Sequence, residues 1–272
     1  MPLPIGLRAL VLGCVGAMMV LSSALAGSLK IGGTGGVNEL LRQLGPAFKA
    51  ETGIDLEVIA GLGTSGANNV VAEGKLGISI SGRDLRDKER ARGLKVATTL
   101  RTPFGFVTSR PGPDSNLKRA EIAALYRSDR PVWPDGTPIL IVLRPADESD
   151  NIVLGDLFPG MADALQHLRK RREVPIAATD QDNADMAEKV KGSLAGATLT
   201  QIVTEKRNLR FVSIDGASAS LENYQSGSYP HGKVLYVVVP SAVSPEAQAF
   251  ISFLAKPAVQ SLLRQAGVVA GP

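Results

Sequence analysis

The chain has 272 residues, 44% of them hydrophobic and 21% charged, with 29 Gly and 17 Pro. This is the balance of a globular protein and excludes a disordered, collagenous or multi-span membrane chain. Its length lies where one large domain gives way to two compact lobes, and its formal net charge of +4 is modest for a nucleic-acid binder but suits a protein that captures anions.

Residues 1–26 read as a secretory signal peptide. Arg8 is followed by the apolar run Ala9 to Val20, and Ser22-Ser23-Ala24-Leu25-Ala26 places small residues where a signal peptidase cuts. Cleavage after Ala26 would release the chain into the periplasm. Cys14 in Val11-Leu12-Gly13-Cys14 offers a lipoprotein signal instead, but the apolar run continues past it and residue 12 is Leu. The chain beyond Ala26 contains no cysteine, which excludes thiol catalysis, zinc–cysteine sites and disulfides there.

Leu29 to Ile31 reads as a strand, Gly32-Gly33-Thr34-Gly35-Gly36 as a Gly-rich loop, and Val37 to Leu44 as a helix by its apolar spacing. The pattern repeats with strand Ile54 to Ile59, loop Gly61-Leu62-Gly63-Thr64-Ser65-Gly66 and a helix opening at Ala67 to Ala72. A third strand, Gly77 to Ile80, ends in Ser81-Gly82-Arg83-Asp84. Strands alternating with helices predict a mostly parallel sheet, with ligands bound beyond the strands' carboxyl ends. Phe104 to Thr108 reads as a strand leaving the first lobe, with Ser109 to Asp114 as a hinge. A helix (Leu117 to Tyr126), a Pro-rich loop at Pro131 to Gly136 and an apolar strand (Ile139 to Leu143) ending in Arg144 follow. Next come helix Ile152 to Arg169, interrupted at Pro159-Gly160, helix Asn183 to Lys191, and strands Leu199 to Val203 and Leu209 to Ile214. A second linker, Gln225 to Gly232, precedes strand Val234 to Val239, and helices Pro245 to Leu254 and Ala258 to Gln265 end the chain. The expected division is therefore a first lobe from 27–107 and 228–272, a second lobe from 108–227, and two crossovers between them.

Backbone N–H groups at helix starts, freed by glycine and joined by Ser or Thr hydroxyls, are a ready source of donors for an oxyanion. The candidate ligand-binding residues are accordingly Thr34, Gly35, Gly36, Thr64, Ser65, Gly66 and Ser81, with Arg83 and Arg144 each following an apolar strand as cationic partners. Neither loop has the Lys-Ser/Thr ending of a phosphate-binding P-loop or fits G-x-G-x-x-G. Catalysis has little support, because Gly63-Thr64-Ser65-Gly66-Ala67 misses the hydrolase elbow at its last position and the histidines are His167 and His231 alone. Asp180-Gln181-Asp182-Asn183-Ala184-Asp185 begins like a calcium loop but lacks its Gly and Glu, and reads as a helix N-terminus. No cofactor, metal or nucleic-acid partner is expected.

These segments resemble the phosphate-binding proteins of bacterial ABC importers, which have the type II periplasmic binding protein fold. Gly33-Thr34-Gly35-Gly36 resembles the family's first anion loop and Gly63-Thr64-Ser65-Gly66-Ala67 its second, where a serine binds the ligand. Ser81-Gly82-Arg83-Asp84-Leu85 is similar to the segment after the third strand, and Tyr126 through Trp133-Pro134-Asp135-Gly136 to Arg144 resembles the interlobe helix, tryptophan loop and arginine strand. Ser213 to Gly216, Gly227 to Pro230 and Leu235-Tyr236 follow the family's return to the first lobe. The resemblance implies a two-lobed α/β monomer that binds a small oxyanion, phosphate first, for an ABC permease, with sulfate, molybdate or an organic phosphate as alternatives and a sensor role as another. One stretch departs from the family. Arg144-Pro145-Ala146-Asp147-Glu148-Ser149-Asp150 carries carboxylates where the family has a small loop that wraps the anion, and only Ser149 keeps its donor chemistry. Like charges there are costly unless turned outward or paired with the proton of phosphate. Asp84, with Asp147 or Asp150 next, is expected to face inward and select phosphate over sulfate.

Overall fold

The computed structural model describes residues 27–111 and 116–271. The leader and part of the predicted hinge lie outside the described residues. Strand β1 (Ser28–Gly33), α1 (Asn38–Thr52), β2 (Asp55–Ile59), α2 (Gly63–Ala72), β3 (Ile78–Ser81) and α3 (Asp87–Ala91) open one lobe. The long β4 (Leu94–Thr108) carries the chain into the other. There follow β5 (Asn116–Leu117), α4 (Ile122–Arg127), β6 (Leu140–Ile141), α5 (Ser149–Leu157), α6 (Met161–Leu168), α7 (Asp180–Lys189), β7 (Ser193–Thr198), α8 (Leu199–Thr204), β8 (Arg210–Phe211), β9 (Ser213–Ile214) and α9 (Leu221–Ser226). Strand β10 (Gly232–Pro240) returns to the first lobe, which α10 (Pro245–Leu254), α11 (Pro257–Gln265) and β11 (Val269–Ala270) complete.

The principal sheet runs in the order β2-β1-β3-β10-β4-β7-β6. Pairings β1–β2, β1–β3 and β6–β7 are parallel, as strand–helix alternation predicts. The sheet as a whole is mixed, because β10 lies antiparallel to both β3 and β4, and β4 antiparallel to β7. Residues Leu94 to Pro103 of β4 pair with β10, whereas Phe104 to Val107 pair with β7. One strand thus serves both lobes, and the chain passes between them inside β4 rather than in the turn-rich segment after Thr108. The return crossover is tied beside it, where Phe104 N–H donates to the His231 carbonyl at 3.1 Å.

Each lobe has its own apolar core. In the first, Ile31, Leu44, Ile78, Ile80 and Val237 surround Phe48, whose ring meets Phe250 and Phe253 edge-on at 5.3 Å each. In the second, Phe104, Phe106, Tyr126, Leu154, Phe158, Leu165 and Tyr229 pack around the fully buried Trp133. Among the described residues no helix is long and apolar enough to cross a membrane.

Some segments depart from their predicted form. Leu199–Thr204 is a helix and not a strand: the Thr198 hydroxyl caps it by accepting from Gln201 N–H, so local capping outweighs the β-branched composition. The strand lies just before it, in Ser193–Thr198, whose small residues give little strand signal. The predicted helix from Leu117 shortens to Ile122–Arg127, behind a short strand and a 3-10 turn.

Candidate functional site

The cleft lies where the two Gly-rich turns of the first lobe meet the starts of α5 and α7 from the second. After β1 the chain turns through Gly33, whose φ of +152° and contact with the Ile80 backbone leave no room for a side chain. Thr34 N–H bonds the Ile80 carbonyl at 2.9 Å, and Gly35–Val37 forms one 3-10 turn leading into α1. Gly36 N–H, at the free end of that turn, donates at 2.9 Å to the Asp180 carboxylate. The Thr34 hydroxyl approaches the same oxygen at 3.4 Å. Arg144, 6% exposed, completes the group: its Nη2 lies 3.4 Å from Asp180 and 3.5 Å from Glu148, and its Nη1 donates to the Ala177 carbonyl at 2.7 Å. Arg144 Nε has no hydrogen-bond partner. A cavity of about 70 Å³ opens beside these groups, lined by Gly35, Gly63, Arg144, Glu148, Thr179 and Asp180.

The acidic loop turns inward in part. Asp147 is exposed, Glu148 is half-buried and Asp150 is buried. Asp150 forms an ion pair with Lys233 of β10, itself 2% exposed, so this pair bridges the lobes. Ser149 is buried beside Gly82, where a Cβ would collide with its hydroxyl, and that hydroxyl has no hydrogen-bond partner. Among the described residues no group of three or more His, Cys, Asp or Glu is placed to hold a metal ion.

The structure therefore brings Thr34, Gly35, Gly36, Arg144 and Ser149 to the cleft and gives the other predicted residues different partners. Gly63 to Gly66 are the first turn of α2 rather than a loop. The Thr64 hydroxyl accepts from Gly82 N–H at 3.0 Å, and the Ser81 hydroxyl donates to the Arg83 carbonyl at 2.5 Å. Arg83 does not offer its fork to the cleft: Nη1 and Nη2 each donate to Glu89 at 2.8 Å, and Nη2 also to the Ser65 hydroxyl at 3.0 Å. Asp84 is turned out to solvent, paired with Arg90 at 2.6 Å, so the expectation that it faces the ligand is corrected. The carboxylates that do face inward are Asp180, Glu148 and Asp150. Ser65 is no hydrolase nucleophile either: His231 is packed against Phe158 and Tyr229, and His167 is exposed on α6.

Sequence reasoning read Asp180 only as part of a helix start. The capping residue is Thr179, whose hydroxyl accepts from Asp182 N–H, which leaves the Asp180 side chain free to reach across the cleft. Lys233 gave no signal, being a single cation within an apolar strand.

Burial pushes the Asp180 carboxyl above its ordinary range, and Asp150 pushes the same way against Lys233, Arg144 and Gly36 N–H. Burial likewise raises Glu148, with Arg144 opposing and Asp180 and Asp150 adding to it. A carboxyl raised in the folded state contributes stability that is complete below its unfolded value and is lost as pH rises through the folded one. His231, lowered chiefly by burial from 6.5, acts in the opposite sense below that pH. The difference between wild type and the Asp180→Asn/Glu148→Gln variant isolates the two carboxyls. In urea unfolding, wild type should gain stability relative to this variant as pH falls from 8 toward the ordinary carboxylate range. A difference independent of pH would overturn the assignment.

Two lobes joined by paired crossover strands, with a polar cleft between them, define a two-lobed binding-protein fold of the type II periplasmic class. A sequence model of the PBP superfamily domain matches residues 21–258, and the chain belongs to that superfamily. No curated protein is significantly similar to the chain in sequence. Among solved structures, a phosphate ABC transporter substrate-binding protein from Clostridium perfringens, described as putative and with bound phosphate, has 18% identity and a TM-score of 0.79 over 90% of this chain and 100% of its own. An ABC-type phosphate transport receptor from Vibrio cholerae has 15% identity and a TM-score of 0.63, again over 90% and 100%. The periplasmic molybdate-binding protein of Azotobacter vinelandii has 14% identity and a TM-score of 0.60 over the same shares.

Proposed function

We propose that the chain is an exported solute-binding protein that takes up a small oxyanion, phosphate first, between its lobes and hands it to an ABC permease from the periplasm. The observation that carries this reading is the setting of the Asp180 carboxylate. A backbone N–H, a threonine hydroxyl and a guanidinium converge on it, which is the donor set an external oxyanion requires. The phosphate and molybdate named for the neighbouring structures belong to the same ligand class. Glu148, which lines the cavity beside Arg144, favours phosphate over sulfate, because monohydrogen phosphate has a proton to donate to it and sulfate has none.

A groove of about 410 Å³ beside Gly82, lined by Arg83, Ile152, Leu157, Val234 and Tyr236, supports a second reading: an organic phosphate whose apolar body lies along the groove. Calorimetry at neutral pH with phosphate, sulfate, molybdate and glycerol 3-phosphate tests both readings. Phosphate should bind and outcompete sulfate, and Arg144→Ala should weaken it by about 1.5–3 kcal/mol, roughly ten- to a hundred-fold. Tighter binding of glycerol 3-phosphate than of phosphate would select the second reading. Absence of binding by all four would overturn both.

A further inference from the structure

We propose that Asp180 is an intramolecular stand-in for the ligand: it holds the cleft closed when no oxyanion is bound and sets affinity by competing for the same donors. This deepens the oxyanion reading and rests on it.

Asp180 begins α7 in the second lobe, yet its carboxylate sits on the Gly-rich turn of the first, against Gly36 N–H and the Thr34 hydroxyl. The fit is close. A Cβ on Gly35 would lie 2.7 Å from Asp180 Oδ2, so only glycine admits the carboxylate at this distance. The next residue reinforces the contact, since Gln181 Nε2 donates to the Gly35 carbonyl at 3.0 Å and to Glu205 at 2.7 Å. Gln201 supports the start of α7 from behind by donating to the Asp180 carbonyl at 3.0 Å. An N–H and a hydroxyl hydrogen each serve one acceptor well at a time, so Asp180 and an external oxyanion exclude one another at these donors.

The charges around Asp180 leave it replaceable. Arg144, beyond β6, touches it only at 3.4 Å and shares the same Nη2 with Glu148. Asp150 of α5 and Glu148 before it are like charges, and Lys233 of β10 is committed to Asp150. The 3-10 turn itself contributes dipoles but no charged side chain. A buried carboxylate held by one long ion pair and crowded by two others is less firmly bound than the Asp150–Lys233 pair beside it. A tetrahedral oxyanion brings four acceptor oxygens to donors that the carboxylate meets with two, so it can take the place of Asp180 once that side chain swings aside into the adjoining cavity.

The test combines phosphate calorimetry with small-angle scattering of wild type and Asp180→Ala. Ligand-free wild type should be nearly as compact as its phosphate-saturated form. Ligand-free Asp180→Ala should be measurably more open, should close on adding phosphate and should bind it at least tenfold more tightly than wild type. Asp180→Asn, which keeps the side-chain shape and cannot act as an anion, should tighten binding in the same direction and serves if the Ala variant does not fold. Phosphate binding by the variants equal to or weaker than wild type would overturn the stand-in while leaving the oxyanion reading in place. If neither wild type nor variant binds phosphate, sulfate or molybdate, the oxyanion reading fails and the stand-in with it.

Discussion

Arg83→Ala should lower the unfolding free energy by about 3–5 kcal/mol, the range for breaking a buried ion pair by removing one partner. Arg83 and Glu89 have side chains only 6% and 4% exposed, and they meet through two parallel hydrogen bonds of 2.8 Å. Glu89 also accepts from Arg86 N–H at 2.7 Å and from Asn68 at 3.2 Å, and Asn68 in turn accepts from Ser79 of β3. The network ties β3, α2 and α3 together beneath the cleft. Burial alone would raise the Glu89 carboxyl, but the bonds from Arg83, Arg86 N–H and Asn68 outweigh it and hold it at about 2. Its contribution is therefore present above the ordinary carboxylate range and lost as pH falls toward 2. Removing Arg83 leaves that charge buried with neutral donors alone. Urea unfolding at neutral pH measures the loss, and the double replacement Arg83→Met/Glu89→Leu should recover most of it, since no charge is then left behind. A loss below about 1 kcal/mol for Arg83→Ala would place the pair with exposed salt bridges and contradict its burial.

What was legible in the sequence is what local patterns encode. The first Gly-rich turn, the return strand through Val234 to Val239 and the terminal helix pair follow from alternation, helical spacing and capping such as Ser244 before Pro245, and lie where those patterns place them, whereas Gly63 to Gly66 of the second predicted loop form the first turn of α2. Arg144 was legible for a similar reason: an arginine closing a wholly apolar strand emerges at the sheet's edge. The partner of a charge was not legible. Arg83 and Arg144 look alike in sequence, each following apolar residues, but Glu89 lies one short turn beyond Arg83 and captures it. Asp180 meets Gly36 across 144 positions, a contact created by apposition of the two lobes that no local spacing foretells. Proximity to an arginine points to Asp84 first and to Asp147 or Asp150 next, whereas in the structure Asp84 and Asp147 face solvent and Asp150 sits on the first turn of α5 facing Lys233 of β10.

Lys233→Met should cost a further buried pair of the same class, about 3–5 kcal/mol at neutral pH, and unlike Arg83→Ala it should also loosen the lobes. Lys233 belongs to the returning crossover strand and Asp150 to α5 of the second lobe, and the two are 2% and 7% exposed. Without the ammonium, Asp150 would lose its ion-pair partner in a region where burial already raises the Asp180 and Glu148 carboxyls above their ordinary range. Methionine fills the space of the lysine stem, so the loss reports charge and not a cavity. Two signatures separate this from simple loss of packing. The deficit should shrink as pH is lowered, because acid neutralises carboxylates left without a partner, and adding Asp150→Leu to Lys233→Met should restore much of the stability by removing the stranded charge. Urea unfolding of the two single variants and the double, at neutral pH and near pH 5, completes the cycle. A coupling below about 0.5 kcal/mol, the scatter expected of independent sites, would mean that Asp150 and Lys233 act separately and that the cleft is held together by Asp180 and its donors without them.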